Sequence, residues 1–296
     1  MELKTVEKIG RYIDPFHDFS FKHLFGTETN KEILIEFLSA LFEGQKEIVN
    51  INYCPTEYSG DDKNSKKVNF DLMCTTQDGE YFILEMQRKE QKYFRDRCIY
   101  YVSRIINQQV SRGGKSNWNE KLKGVYLIGF LDFCFKDGTK TKYVNDYSII
   151  NTETGNIFHN KLGFKFLELP NFTKPEIEIT SELDKWIYLL KNMHQLDNIP
   201  DFLNKPVFQQ IFKLAEISNL TNQERMMYES NLKNEWDYEN TINFAAEQAA
   251  EQARIEEKNS TAYKLKKEGI PLDQIIRVTG LTLEEIENLP NYTENS

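Results

Sequence analysis

Phe70-Asp71-Leu72-Met73-Cys74-Thr75-Thr76-Gln77-Asp78-Gly79-Glu80-Tyr81-Phe82-Ile83-Leu84-Glu85-Met86-Gln87 holds two apolar runs, each carrying one carboxylate, joined by a turn signal. An acid inside a hydrophobic strand costs several kcal/mol unless a cation or a hydrogen bond compensates it. Two such acids on neighbouring strands point to a metal. Gln77-Asp78-Gly79 reads as a three-residue hairpin loop with Gly79 in the left-handed position of a type I turn plus bulge. Thr76 then pairs with Glu80 and Asp71 stands opposite Glu85, and opposed residues share a face. A two-residue turn would instead set Asp71 against Met86 and send the acids to different faces. The side chains favour the first register. It gives one apolar face, Phe70, Leu72 and Cys74 against Met86, Leu84 and Phe82, and one mixed face of Met73 and Ile83 ending in Asp71, Glu85 and Gln87. Carboxylates at about 5 Å Cβ separation can share one hard divalent ion. A second reading stays open: both acids at exposed strand ends, paired with Arg or Lys.

At 296 residues the chain can bury a full core, and one main domain with an appendage is expected. No stretch of eighteen apolar residues occurs and Met1-Glu2-Leu3-Lys4 opens no signal peptide, so a cytoplasmic protein without a membrane partner is expected. Cys54, Cys74, Cys98 and Cys134 are widely spaced and read as reduced core thiols. The four histidines form no metal-ligand spacing either. The net charge of −9 argues against nucleic acid only until its distribution is read. From Glu85 to Lys123 ten basic residues face four acids; from Glu216 to Lys258 ten acids face four bases. The basic excess lies beside the proposed metal site, where a phosphate backbone would run.

The aromatic start, Asp14 to Gly26, is expected to cover one end of the core. Asn30 is placed to cap a helix whose Ile33, Leu34, Phe37, Leu38 and Leu41 recur at helical spacing. Strands follow at about 48–58, 67–76 and 80–88, with the polar loop Gly60 to Ser65 between the first two. A helix over about 91–112, stopped by Gly113-Gly114, leads to the buried strand Val125 to Leu131. A helix between the third strand and an apolar fourth implies a crossover in a mixed sheet. Further strand-like runs occupy Tyr143 to Leu169. Ser181, Pro206 and the Thr221/Glu224 capping box then mark helix starts. A second capping box, Thr282/Glu285, closes a helix-turn-helix outline at the C-terminus.

Asp14-Pro15-x-x-Asp18-x-x-Phe21-Lys22-x-Leu24-Phe25-Gly26, Phe70-Asp71, Glu85-Met86-Gln87 and Tyr93-Phe94-Arg95-Asp96-Arg97-x-x-Tyr100-Tyr101 occur in that order. In this set the chain resembles the Rpn family of recombination-promoting nucleases and transposases, within the PD-(D/E)XK superfamily, over about residues 10 to 290. The resemblance implies an α/β fold with a mixed four-stranded sheet flanked by helices plus a C-terminal helical region, and magnesium-dependent endonucleolytic cleavage of DNA, with manganese as the alternative ion. Asp71 and Glu85 match the two metal-binding acids, and the Met86 carbonyl would supply a further oxygen. Gln87 stands where the superfamily usually has lysine. A neutral amide can orient the attacking water but cannot offset its charge, so either cleavage is slow or Lys89, two residues on, substitutes. Asp18 and Lys22, one helical turn apart, form an i,i+4 pair or support the site. Lys22, Lys92, Arg95 and Arg97 are candidate DNA contacts; Tyr100 and Tyr101 read as packing residues.

The expected organisation is a nuclease domain over 1–175, a helical region over 176–258 and a small helix-turn-helix-like segment over 259–296. The last helix, Leu283 to Leu289, carries three acids, so it reads as a protein-contact or self-association module, not a DNA reader. A catalytically weak DNA-binding or regulatory protein and a scaffold built on the acidic helices are the competing readings.

Overall fold

The computed structural model describes residues 10–58, 68–109 and 122–289. Helices α1 (Asp18–Phe25) and α2 (Lys31–Leu41) lead into strands β1 (Ile51–Tyr53), β2 (Glu57–Tyr58), β3 (Val68–Asn69), β4 (Leu72–Thr76) and β5 (Tyr81–Gln87). Helix α3 (Phe94–Gln108) connects β5 to β6 (Val125–Leu131); β7 (Val144–Ser148) and β8 (Leu162–Glu168) follow. The chain then turns helical: α4 (Glu182–Asn192), α5 (Pro206–Ala215), α6 (Asn222–Lys267), α7 (Leu272–Thr279) and α8 (Leu283–Glu287). The expected loop at 60–65 and the helix stop at Gly113-Gly114 lie outside the described residues.

The main sheet has six strands in the order β1-β4-β5-β6-β8-β7. The expected four are β1, β4, β5 and β6, with the α3 crossover making β5 and β6 parallel. The sheet does not stop there: β8 adds parallel to β6, and β7 returns antiparallel along the edge. Its members come from the strand-like stretch after Tyr143, whose half-polar character conceals that it extends the same sheet.

Alternation along the strands gives the sheet two apolar faces. On one, Phe82 meets Phe42 at 5.2 Å between ring centroids, and Phe130 meets Phe21 at 5.1 Å and Phe37 at 5.2 Å, so α1 and α2 pack there. All five apolar residues expected on the inner face of α2 are buried. On the other face Met73, Ile83 and Leu127 pack with Phe94, Cys98, Val102 and Ile105 of α3. Phe70 belongs to this second cluster, not to the Leu72 face as strand alternation predicts. The predicted strand 67–76 breaks between β3 and β4, where Phe70 N bonds Thr56 O at 2.9 Å and the chain bends, so alternation does not carry across it.

Helix starts follow the cap residues. Ser181 accepts from Asp184 N at 3.1 Å, Pro206 opens α5, and Thr221 and Glu224 form the expected reciprocal pair. Asn30 is the exception: it precedes α2 at ψ 18°, outside the extended region that lets a side chain reach back to the first turn, and makes no cap bond. Both Cys74 and Cys98 are buried, and all four cysteines are free thiols.

The chain divides into two compact units, Met1–Asn231 and Leu232–Ser296; α4 and α5 belong to the first. In the second, Ala262, Ile275, Leu281 and Ile286 form a small core. Gly280 ends α7 in the left-handed conformation, and the Thr282/Glu285 capping box opens α8. Among the described residues no helix is long and apolar enough to cross a membrane.

Candidate active site

Gly79 has φ +76°, its N–H donates to Thr76 O at 2.9 Å, and Thr76 N donates to Glu80 O at 2.9 Å. The three-residue loop therefore forms, and β4 pairs with β5 through Leu72↔Leu84 and Met73↔Ile83. One step further the same register sets Asp71 opposite Glu85. Here side chains replace the backbone ladder: Asp71 N donates to Glu85 Oε1 at 3.4 Å and Met86 N donates to Asp71 Oδ2 at 2.7 Å. Glu85 is 3% exposed and Asp71 is half-buried. Glu85 follows Ile83 towards the α3 side of the sheet, and the two hydrogen bonds hold the Asp71 carboxyl and backbone beside it.

Burial pushes the Asp71 carboxyl up to about 6; the Met86 N–H, Lys22 and Arg97 oppose the rise, and Asp18 adds to it. Glu85 is raised well above the ordinary range, first by burial and then by the negative charge of Asp71, against Arg97, the Asp71 N–H and Lys22. Neither acid forms an ion pair with a described residue, so the strand-end salt-bridge reading does not hold. Two adjoining carboxylates without a cationic partner, next to the Met86 carbonyl, are a hard-oxygen donor set. A divalent cation fits it, since it would relieve both the burial cost and the mutual repulsion. No third His, Cys, Asp or Glu converges on the pair among the described residues.

The other expected residues divide. Lys22 Nζ pairs with Asp18 Oδ1 at 2.7 Å, and the charges of both reach Asp71. Gln87 Nε2 donates to the Met86 carbonyl at 2.8 Å. Lys89 lies past the end of β5, where the chain bends, so the two-residue strand period that would put it on the Gln87 face no longer operates. Arg95 is closed into a bidentate pair with Asp137 at 2.7 and 2.5 Å, and its guanidinium lies 4.1 Å from the Phe135 ring centre. Lys92 is exposed beside the Tyr93 ring. Arg97 donates to Gln91 Oε1 and sits over the rings of Phe94 and Tyr101 at 5.3 and 6.0 Å. Tyr101 packs edge-on against Phe70 at 5.0 Å, whereas Tyr100, one residue round the helix, is 40% exposed.

Arg88 has a role that its sequence context does not reveal. It bonds Asp14 Oδ2 at 2.6 Å across 74 residues, and Asp14 is only 6% exposed. Burial works to raise the Asp14 carboxyl, yet Arg88, His194, the Phe16 N–H and His17 together hold it below the usual range. This pair ties the aromatic N-terminal motif to the chain just beyond Gln87. Arg88 is thereby spent inside the protein and drops out of the basic surface counted from sequence.

A family model described as PD-(D/E)XK nuclease family transposase matches residues 15–245. The chain belongs to this family. No curated protein and no solved structure matches it. The matched segment spans Asp18, Asp71, Glu85 and Gln87, so membership in this nuclease family, which is linked to mobile elements, covers the whole site.

Proposed function

We propose that this PD-(D/E)XK nuclease family transposase is a metal-dependent DNA endonuclease. It hydrolyses phosphodiester bonds with little sequence specificity, in recombination or the movement of mobile elements. The observation that carries the reading is the adjoining Asp71 and Glu85 carboxylates, next to the β4–β5 pairing and without an ion pair to any described residue. Their carboxylates and the Met86 carbonyl would hold magnesium or manganese. Such an ion, when bound, lowers the pKa of water and offsets charge on the phosphate oxygens. Gln87, released from the Met86 carbonyl, orients the attacking water through its amide. Lys22 and Lys92 contact backbone phosphates, which position DNA without reading its sequence; Arg95 joins them by exchanging Asp137 for phosphate. The segment 259–296 serves contact with a protein partner or a second copy.

The neutral Gln87 supports a second reading, a DNA-binding or regulatory protein with weak or lost chemistry. Supercoiled plasmid incubated with purified protein and magnesium, manganese or EDTA separates the two. Nicking that EDTA abolishes supports the nuclease; DNA retained without nicking under either ion rejects it.

A further inference from the structure

We infer that Arg97 supplies, at the scissile phosphate, the fixed positive charge that the neutral Gln87 does not. The inference rests on the nuclease reading and assigns one residue within it.

Of the basic residues around the site, Arg88 is held by Asp14, Arg95 by Asp137 and Lys22 by Asp18. Arg97 differs. Only its Nη1 is used, on Gln91 Oε1. Its Nε and Nη2, the two donors of one guanidinium edge, are shielded from solvent and hydrogen-bond to no described residue. Buried donors are paired almost everywhere in folded proteins, and exceptions concentrate where function needs them. The guanidinium is not idle for want of restraint: the Phe94 ring and the Tyr101 ring flank it, and Tyr101 is itself fixed against Phe70, the residue before Asp71. Its charge acts on both Asp71 and Glu85. The edge is covered in this structure, so a phosphate reaches it only once the Gln91 contact opens; its two parallel N–H donors then match two non-bridging oxygens of the phosphate, a geometry that a lysine ammonium lacks.

In the hydrolysis a water oxygen bonds to phosphorus while the bond from phosphorus to the leaving sugar oxygen breaks. One water proton passes to solvent and the other ends on the leaving oxygen. Arg97 exchanges no proton; it neutralises charge on the non-bridging oxygens as the new bond forms.

The test compares wild type, Arg97→Gln, Arg97→Lys, Arg97→Ala and Lys89→Gln in single-turnover plasmid nicking with manganese. Binding of Mn2+ alone is followed in parallel by electron paramagnetic resonance. Arg97→Gln is expected to nick about 100-fold more slowly or worse, the loss typical of removing one charge-stabilising donor. It should bind Mn2+ at least as tightly as wild type, because a like charge has been removed. Arg97→Lys should recover part of the rate, and free guanidinium ion should partly rescue Arg97→Ala. Nicking by Arg97→Gln within about threefold of wild type would overturn the assignment. So would a larger loss in Lys89→Gln, or a joint loss of Mn2+ binding and rate without guanidinium rescue, which marks a purely structural role. A wild-type protein that neither binds Mn2+ nor nicks DNA overturns the nuclease reading itself, and the assignment with it.

Discussion

Glu85 of β5 and Gly129 of β6 are direct neighbours in the parallel register, and a Cβ at position 129 would lie 2.6 Å from Phe166 Cδ1. The glycine leaves room for a buried ring beside the buried acid. Gly129→Ala should therefore displace Phe166 and destabilise the fold by about 1–3 kcal/mol. Urea denaturation measures this. An unchanged midpoint would mean that the ring relaxes without cost.

Replacing either acid separates chemistry from folding. Asp71→Asn and Glu85→Gln should abolish nicking while leaving DNA retention on gels. Each removes a charge that burial penalises, so the metal-free variants should melt higher than wild type at pH 8. A lower melting temperature for both would show that the charged forms stabilise the sheet.

The same shifts set a pH dependence. A carboxyl whose folded pKa lies above its unfolded value favours folding while protonated, and that contribution is lost as pH rises through the folded pKa. For Asp71 the window runs from its ordinary 3.8 to about 6, and Glu85 extends it upward. In EDTA, stability should fall across this range by more in wild type than in the Asp71→Asn, Glu85→Gln double variant. Added magnesium should reverse the difference above pH 6. Parallel curves for the two proteins would contradict the assignment.

Arg95 and Asp137 give the charge map a directional test. Removing Lys92 and Arg95 together should weaken binding to all DNA sequences alike and lower the log-log salt slope by up to about one unit per lost phosphate contact. Asp137→Ala should tighten binding, since it frees Arg95 from its bidentate partner. Neutralising acids between Glu235 and Glu257 should not weaken it. A salt titration with the reverse ranking would place the DNA surface elsewhere.

Local signals carried the hairpin, its register, the α3 crossover and most helix starts, because each depends on residues a few positions apart. What escaped is non-local or lies at a break in regularity. The bend between β3 and β4 moved Phe70 to the other face, and the end of β5 took Lys89 off the strand period. Arg95 and Arg88 counted as surface charge until partners 42 and 74 residues away claimed them. Arg97 reads from sequence as one more basic residue, but only packing reveals that one edge of its guanidinium has no hydrogen-bond partner among the described residues while its charge acts on both acids.

The loop that ends in Gly79 has an implication for how such a protein could lose its activity over generations. Tightening it to a two-residue Asp78-Gly79 turn would pair Gln77 with Glu80, touch no charged group at the site and preserve every apolar residue of both strands. The slip of one position would nonetheless set Asp71 against Met86 and part the two acids across the sheet. A substitution in a surface turn that favours the tighter connection, invisible to any inventory of site residues, would end the proposed chemistry.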